Sequence, residues 1–236
     1  MKSAKKIISI LLVGCIFTSI PAQASVNPKN FEVLTLEDNS EVKVTSVEVD
    51  NNVITAEYNK KNNEMMITTT TDGNISEQIH IDLNQGVEDR AYDYTLFAES
   101  DGRYRVSYEH TILDYEYEQW KYPNYNNGKG YFWFLKKPGV DSRPAYEEVR
   151  GGSVYSSSID GYVEAVEVIN SKEIIVGASG MITVAAIIAT GGTASVVIGK
   201  IVAALQAIGV VAAVTVANEL YQAVQDCNRY WTEIYG

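Results

Sequence analysis

The stretch IIVGASGMITVAAIIATGGTASVVIGKIVAALQAIGVVAAVTVA (Ile174–Ala217) holds a single formal charge, Lys200, in 44 residues. As one helix rising about 1.5 Å per residue it would reach about 66 Å, roughly twice a bilayer's hydrocarbon core. Such a segment is expected to fold back on itself. Its only paired glycines, Gly191 and Gly192 in Thr190-Gly191-Gly192-Thr193, mark the expected corner. The arms beside it, Ile174–Ala189 and Ala194–Ala217, would measure about 24 and 36 Å and so bracket a membrane's thickness. In the second arm Ser195, Gly199, Ala203 and Ala207 recur every fourth residue. A face that bare lets two helix backbones approach closely, so these residues form the expected helix-contact face. Lys200 is the expected depth marker: an ammonium at mid-bilayer costs about 3 kcal/mol, and one near a helix end snorkels to the surface.

On the C-terminal side, Leu220, Val224, Cys227 and Trp231 keep helical spacing while Glu219, Gln222, Asp226 and Arg229 face away, so the second arm is expected to continue as helix. Tyr221, Tyr230, Trp231 and Tyr235 form an aromatic cluster. Such clusters occur where helices leave bilayers and equally where a terminal helix packs on a soluble body. On the N-terminal side, Ile159, Val163, Val166 and Ile169 share a face and predict a short amphipathic helix after a small, polar linker at Gly151–Ser158.

Further upstream the pattern changes to period two. Phe31–Leu36, Glu41–Val47, Val53–Tyr58, Met65–Thr71 and Glu77–Ile81 are rich in Val, Ile and Thr and separated by Asp/Asn/Gly corners. They predict an antiparallel sheet with one wet face. Residues 92–146 then concentrate ten tyrosines, two tryptophans and three phenylalanines. Strands are expected around Tyr104–Tyr108, Tyr115–Tyr117 and Tyr131–Leu135, with a turn at Asn124–Gly130 and a stop at Pro138-Gly139. Their rings fill a curved sheet or, with Trp120, Tyr131 and Trp133 leading, form an aromatic face for sugar or a membrane interface.

The first residues resemble an export signal: Lys2, Lys5 and Lys6, an apolar Ile7–Ile20, then Ala22-Gln23-Ala24 before Ser25. A lipoprotein reading would anchor the chain at Cys15, but Ile16-Phe17 continue the apolar run beyond it. Secretion is the expectation. Cleavage after Ala24 takes the formal charge from −11 to −14. So acidic a chain is ill suited to nucleic acid or to electrostatic capture by anionic lipid. Membrane entry would have to be driven by apolar burial. The single remaining cysteine, Cys227, rules out an internal disulfide in the mature chain.

A catalytic constellation is missing. His80 and His110 have no Cys or His neighbours at ligand spacing, so neither a metal site nor a cofactor is expected. No G-x-S-x-G, P-loop or H-E-x-x-H occurs. Cys227 with His110 is a remote nucleophile pair. Asp114, Glu116 and Glu118 could include a glycosidase pair but read more simply as a solvated strand face. The chain is not expected to be an enzyme.

Three readings remain for Ile174–Ala217: a concealed membrane-inserting hairpin, a permanent anchor, or the buried core of a soluble domain. Dilution with Ala, Gly, Thr and Ser weakens insertion and disfavours the anchor. The order of YTLFAESDGRYRVSYEHTI (Tyr94–Ile112), NGKGYFWFLKKPGVDSRPAYEEVRG (Asn127–Gly151) and SIDGYVEAVEVIN (Ser158–Asn170) before a Gly/Ala-rich C-terminus resembles the geobacillin-26-like family over about residues 92–236. These are large, unmodified bacteriocin-like proteins exported by Gram-positive bacilli. The resemblance implies an exported antibacterial protein, with its mechanism open and no catalytic residues to transfer. Together with the apolar hairpin it gives the expectation that the chain perturbs membranes of related bacteria through that hairpin, and a producer would need a separate immunity protein. The resemblance leaves oligomeric state open.

The expected fold is α+β, with antiparallel sheet before an apolar helical hairpin. Its expected divisions are a signal peptide (1–24), an N-terminal β module or pro-region (25–91), an aromatic β region (92–150) and a helical region (151–236). A cell-wall carbohydrate-binding module using the aromatic face, and a non-toxic soluble domain with a buried helical core, are the alternatives.

Overall fold

A computed structural model describes residues 31–84, 103–122, 130–146 and 156–236. The expectations for the signal peptide, Cys15, the turn after Asn124 and residues 151–155 of the linker lie outside these residues; the linker's last three residues, Ser156–Ser158, are instead the start of a helix. The fold is α+β, with two antiparallel sheets preceding the helices.

Local chemistry builds the first sheet. Strands β1 (Glu32–Asp38), β2 (Val42–Val49), β3 (Asn52–Asn59), β4 (Glu64–Thr71) and β5 (Asn74–Asp82) pair in sequence order. Between β2 and β3 Asp50 and Asn51 have φ of 47° and 62°, and between β4 and β5 Asp72 and Gly73 have 51° and 79°. Two successive positive φ values define the type I′ turn, whose twist matches that of the strands it joins. Between β1 and β2 the Asn39 side-chain oxygen accepts from the amides of Glu41 and Val42, both at 2.8 Å. Register then gathers Val47, Ile54, Ala56, Ile67, Met65 and Ile81 on one buried face. Glu48, Glu57 and Gln78 fall on the other, which is wet.

The second sheet has strands β6 (Tyr104–His110), β7 (Glu116–Tyr122), β8 (Gly130–Lys136) and β9 (Arg143–Tyr146), again in sequence order. β9 escaped the sequence reading. It is four residues long, and Pro144 is tolerated because β9 is an edge.

Three helices follow: α1 (Ser156–Thr190), α2 (Ala194–Ala207) and α3 (Ala213–Tyr235). The corner between α1 and α2 falls on Gly191 and Gly192, with φ of 70° and 119° that β-carbon residues rarely adopt. The two uninterrupted arms expected on either side are corrected. α1 is broken at Gly177 (φ 68°, ψ 175°). The expected 24-residue second arm ends at Ala207, where Val210 N–H bonds the Leu205 carbonyl at 2.9 Å and Gly209 N–H that of Gln206 at 3.1 Å. With Gly209 at φ 91° this pair is a Schellman closure, which stops a helix at glycine.

The chain forms two compact units, Met1–Asp89 with Lys172–Gln222 and Arg90–Ser171 with Ala223–Gly236. A self-contained helical region at 151–236 is therefore a mistaken division. Each sheet has an apolar face that must be covered, and the helical residues are shared out between them.

In the second unit Tyr117 Oη donates to Glu167 Oε1 at 3.1 Å, Tyr162 Oη to the Lys136 carbonyl, and Tyr235 Oη to the Arg143 carbonyl at 2.9 Å. Trp231 is buried beside Tyr162 and Tyr235, with Lys137 and Arg143 over its ring. Here the terminal aromatics pack a helix onto a body. In the first unit α2 lies across β2 and β3, and 11 of its 14 residues are buried. The same arrangement joins β1–β5 to the C-terminal half: without α2 the core face of the first sheet would be bare.

Gly199 sets the distance of closest approach. A Cβ there would sit 2.9 Å from both Ile54 Cδ1 and Val49 Cγ1. Gly199→Leu is expected to destabilise the protein by more than about 3 kcal/mol through overpacking. Gly199→Ala should lose about 1 kcal/mol, because better helix propensity offsets part of the clash. Urea unfolding followed by tryptophan fluorescence measures both.

Candidate membrane-active segment

The candidate segment is the second part of α1 (178–190), the glycine corner, α2 and the loop 208–212. By composition one helix, Ser157–Thr190, is long and apolar enough to cross a membrane. Gly177 divides it. Residues 178–190 and the 14-residue α2 are each about 20 Å long, short of the roughly 30 Å hydrocarbon core. Neither piece spans a bilayer as folded.

The small-residue row does not receive a second helix. Ser195 Oγ donates to Asp50 in the β2–β3 turn, Gly199 abuts Val49 and Ile54, and the Ala203 carbonyl accepts from buried Thr45 Oγ1 at 2.7 Å. Ala207, also buried, closes the row. A sheet exploits a bare helix face as readily as a helix does, because a flat layer of β-branched side chains needs close approach too. The helix-contact role of Ser195, Gly199, Ala203 and Ala207 is corrected accordingly.

In the folded chain Lys200 is buried rather than at a surface. It is 1% exposed, ion-paired with Glu77 on β5 and 3.3 Å from Thr190 Oγ1 at the end of α1. A buried ammonium needs such a partner, since leaving it alone in a low-dielectric interior is prohibitive. Glu77, Thr45 and Asp50 are the functional contacts that sequence reasoning missed. The inward face of Glu77 could have been read from its register with Thr69. Its partner, 123 residues away, could not.

The aromatic trio is not brought together. Tyr131 and Trp133 share a face of β8 at a ring separation of 6.2 Å, while Trp120 stacks with Phe132 on the opposite face. Trp120 and Trp133 are 8% and 6% exposed. The two indoles are thus buried on opposite faces, and of the three rings Tyr131, beneath Lys121, is the one partly open.

The acids of β7 and of the loop before it have side-chain partners. Glu116 lies 2.9 Å from His110 Nδ1, Glu118 is 3.2 Å from Arg105, and Asp114 2.7 Å from Lys136. Trp120 Nε1 also donates to Glu118 at 2.9 Å. Cys227 is free and buried, and burial pushes its thiol up, away from the thiolate a nucleophile needs. Among the described residues no group of three or more His, Cys, Asp or Glu is placed to hold a metal ion.

Glu109 departs from this pattern. Partial burial, followed by the neighbouring Glu167 carboxylate, raises its pKa, with His110 opposing. Its Oε1 is buried without a hydrogen-bond partner among the described residues. The same surroundings hold the Tyr117 phenol protonated well beyond its usual range, burial first and Glu167 second.

No family model, curated protein or solved structure matches this chain.

Glu77→Ala is expected to lower stability by about 1–3 kcal/mol, below the full penalty for an orphaned buried charge because Glu77 is about one-third exposed. Lys200→Met should stay within about 1 kcal/mol of the parent, since it removes the buried charge itself. Chemical unfolding of the three proteins side by side checks this. For Glu109, a carboxyl raised on folding contributes stability when protonated and loses it as pH rises through its folded-state pKa. Glu109→Gln should therefore be more stable than the parent at pH 7, with the gain shrinking as pH falls below the carboxylate range. Denaturation midpoints across that range supply the measurement.

Proposed function

We propose that this chain is an exported antibacterial protein that acts on membranes of related bacteria by parting α2 from the first sheet. The observation that carries the reading is the latch on α2. A helix with one charge in 14 residues is stored against a sheet, and that charge is held by Glu77. Parting at this seam would bare apolar surface on both partners, the helix and the Val47–Ile54–Ile67 face. Lipid covers such surface as well as protein does. The sequence resemblance to large bacteriocin-like proteins points the same way, and a producer of such a protein would need a separate immunity protein. The reading assigns no catalysis to the chain. A wall-binding role through Trp120, Tyr131 and Trp133 finds no support in their positions.

A buried helix of this composition also serves as an ordinary core, so the test must act on the latch. Deleting everything after Asn170 is unsuitable, because residues 172–222 complete the first unit and 223–236 the second. Dye release from vesicles by the chain starting at Ser25 should instead be compared among the parent, Glu77→Ala and Lys200→Met. Glu77→Ala is expected to release dye severalfold faster than the parent, and Lys200→Met no faster. If Glu77→Ala is measurably destabilised yet inert on vesicles and on bacteria, α2 is a core helix and the proposal fails.

A further inference from the structure

The large aliphatic side chains most exposed among the described residues are Val211, at 85%, and Ile174, at 81%. Ile175 is 52% exposed. All three belong to the first unit and to two neighbouring segments, 174–180 and 208–212. Ile208 Cδ1 lies against Gly180, only 3.3 Å from where a Cβ would be. Because the chain reverses at Gly191-Gly192, these segments form the pole of the helical hairpin farthest from that corner. Across both, the only polar side chain is Ser179. Loops between helices ordinarily carry polar residues, since their backbone faces water. Here the loop Ile208-Gly209-Val210-Val211-Ala212 has none. Of the charged residues beside the pole, Glu173 is buried and Lys172 is ion-paired with Glu219.

We infer that this pole is a lipid-contacting surface, through which Ile174, Ile175 and Val211 enter a neutral bilayer interface. The inference rests on the reading that the protein meets membranes, and it names the place of first contact. Size argues against a second copy as the occupant. Three aliphatic side chains offer roughly 300 Å² of apolar surface, against roughly 800 Å² per partner in a stable dimer. Lipid requires no matching surface; a protruding aliphatic tip inserts among acyl chains and gains by area alone. Charge selects the class of lipid. With a formal net charge of −11 and no basic run at the pole, anionic head groups repel the chain, so neutral or zwitterionic lipid is favoured.

The test is co-flotation of the chain starting at Ser25 with phosphatidylcholine vesicles, comparing the parent with the double variant Ile174→Asn/Val211→Asn. Both positions are more than four-fifths exposed, so the variant is expected to keep the parent's unfolding midpoint. The parent should float, insensitive to salt and less well on vesicles containing phosphatidylglycerol. The variant should partition on the order of tenfold more weakly. Equal flotation of both proteins, or none by the parent, overturns the inference. So does a parent that elutes as a dimer while the variant elutes as a monomer, which would assign the pole to self-association. Dye release distinguishes this inference from the proposed function. Flotation lost in the variant, with no release by the parent or by Glu77→Ala, upholds the pole and sinks the unlatching. Release that survives intact in the double variant does the reverse.

Discussion

The close seating of α2 on β2 and β3 is the constraint on which the first unit depends. At Gly199 there is no side chain at all between helix backbone and the methyls of Val49 and Ile54. That absence lets Thr45 reach the Ala203 carbonyl and Ser195 reach Asp50 on either side of it. It also brings Lys200 within reach of Glu77. Larger residues in the row would lift the helix, and the polar contacts would stretch along with the apolar ones. Small side chains are therefore the structural condition for burying a lysine here, because only a helix this close to the sheet can share its margin with a strand carboxylate.

On the membrane reading, the same seam would let a stored and an active state differ without any covalent change. The hydrophobic term that holds α2 to the sheet is non-directional and would be replaced, area for area, by acyl chains. The ion pair is directional and would not. The membrane reading consequently places specificity in polar contacts and driving force in apolar ones.

Much of the architecture was legible. All five strands of the first sheet could be placed from Val/Ile/Thr-rich runs between polar corners such as Asp50-Asn51 and Asp72-Gly73, with alternation visible at Val42–Thr45 and Ile79–Asp82, because local turn chemistry and side-chain parity need no knowledge of distant residues. The Gly191-Gly192 corner was legible for the same reason. The stop at Gly209 was in principle readable too, but one glycine in an apolar run carries a weaker signal than a pair. What α2 packs against was not readable. A small-residue row at helical spacing reports that something comes close and is silent on whether that something is helix or sheet. The aromatic face failed through parity: Trp120 and Trp133 look like one surface in a list, yet the pairing of Trp120 with Phe132 puts them on opposite sides. Of the candidate site, then, the segment and its corner were visible, whereas its partners depend on contacts spanning more than a hundred residues.

The division of the helical residues between the two sheets bears on how the chain is made. The first sheet is synthesised early, but its cover arrives only after the whole four-stranded sheet has been laid down: Thr45 and Ala203 are 158 residues apart. The second sheet, in turn, awaits residues 223–236. Neither unit can be finished during elongation, and contacts of such sequence separation close slowly. Each unit is therefore completed by residues that follow its sheet by more than sixty positions. Interleaving thus makes the assembly of both units depend on the C-terminal half of the chain.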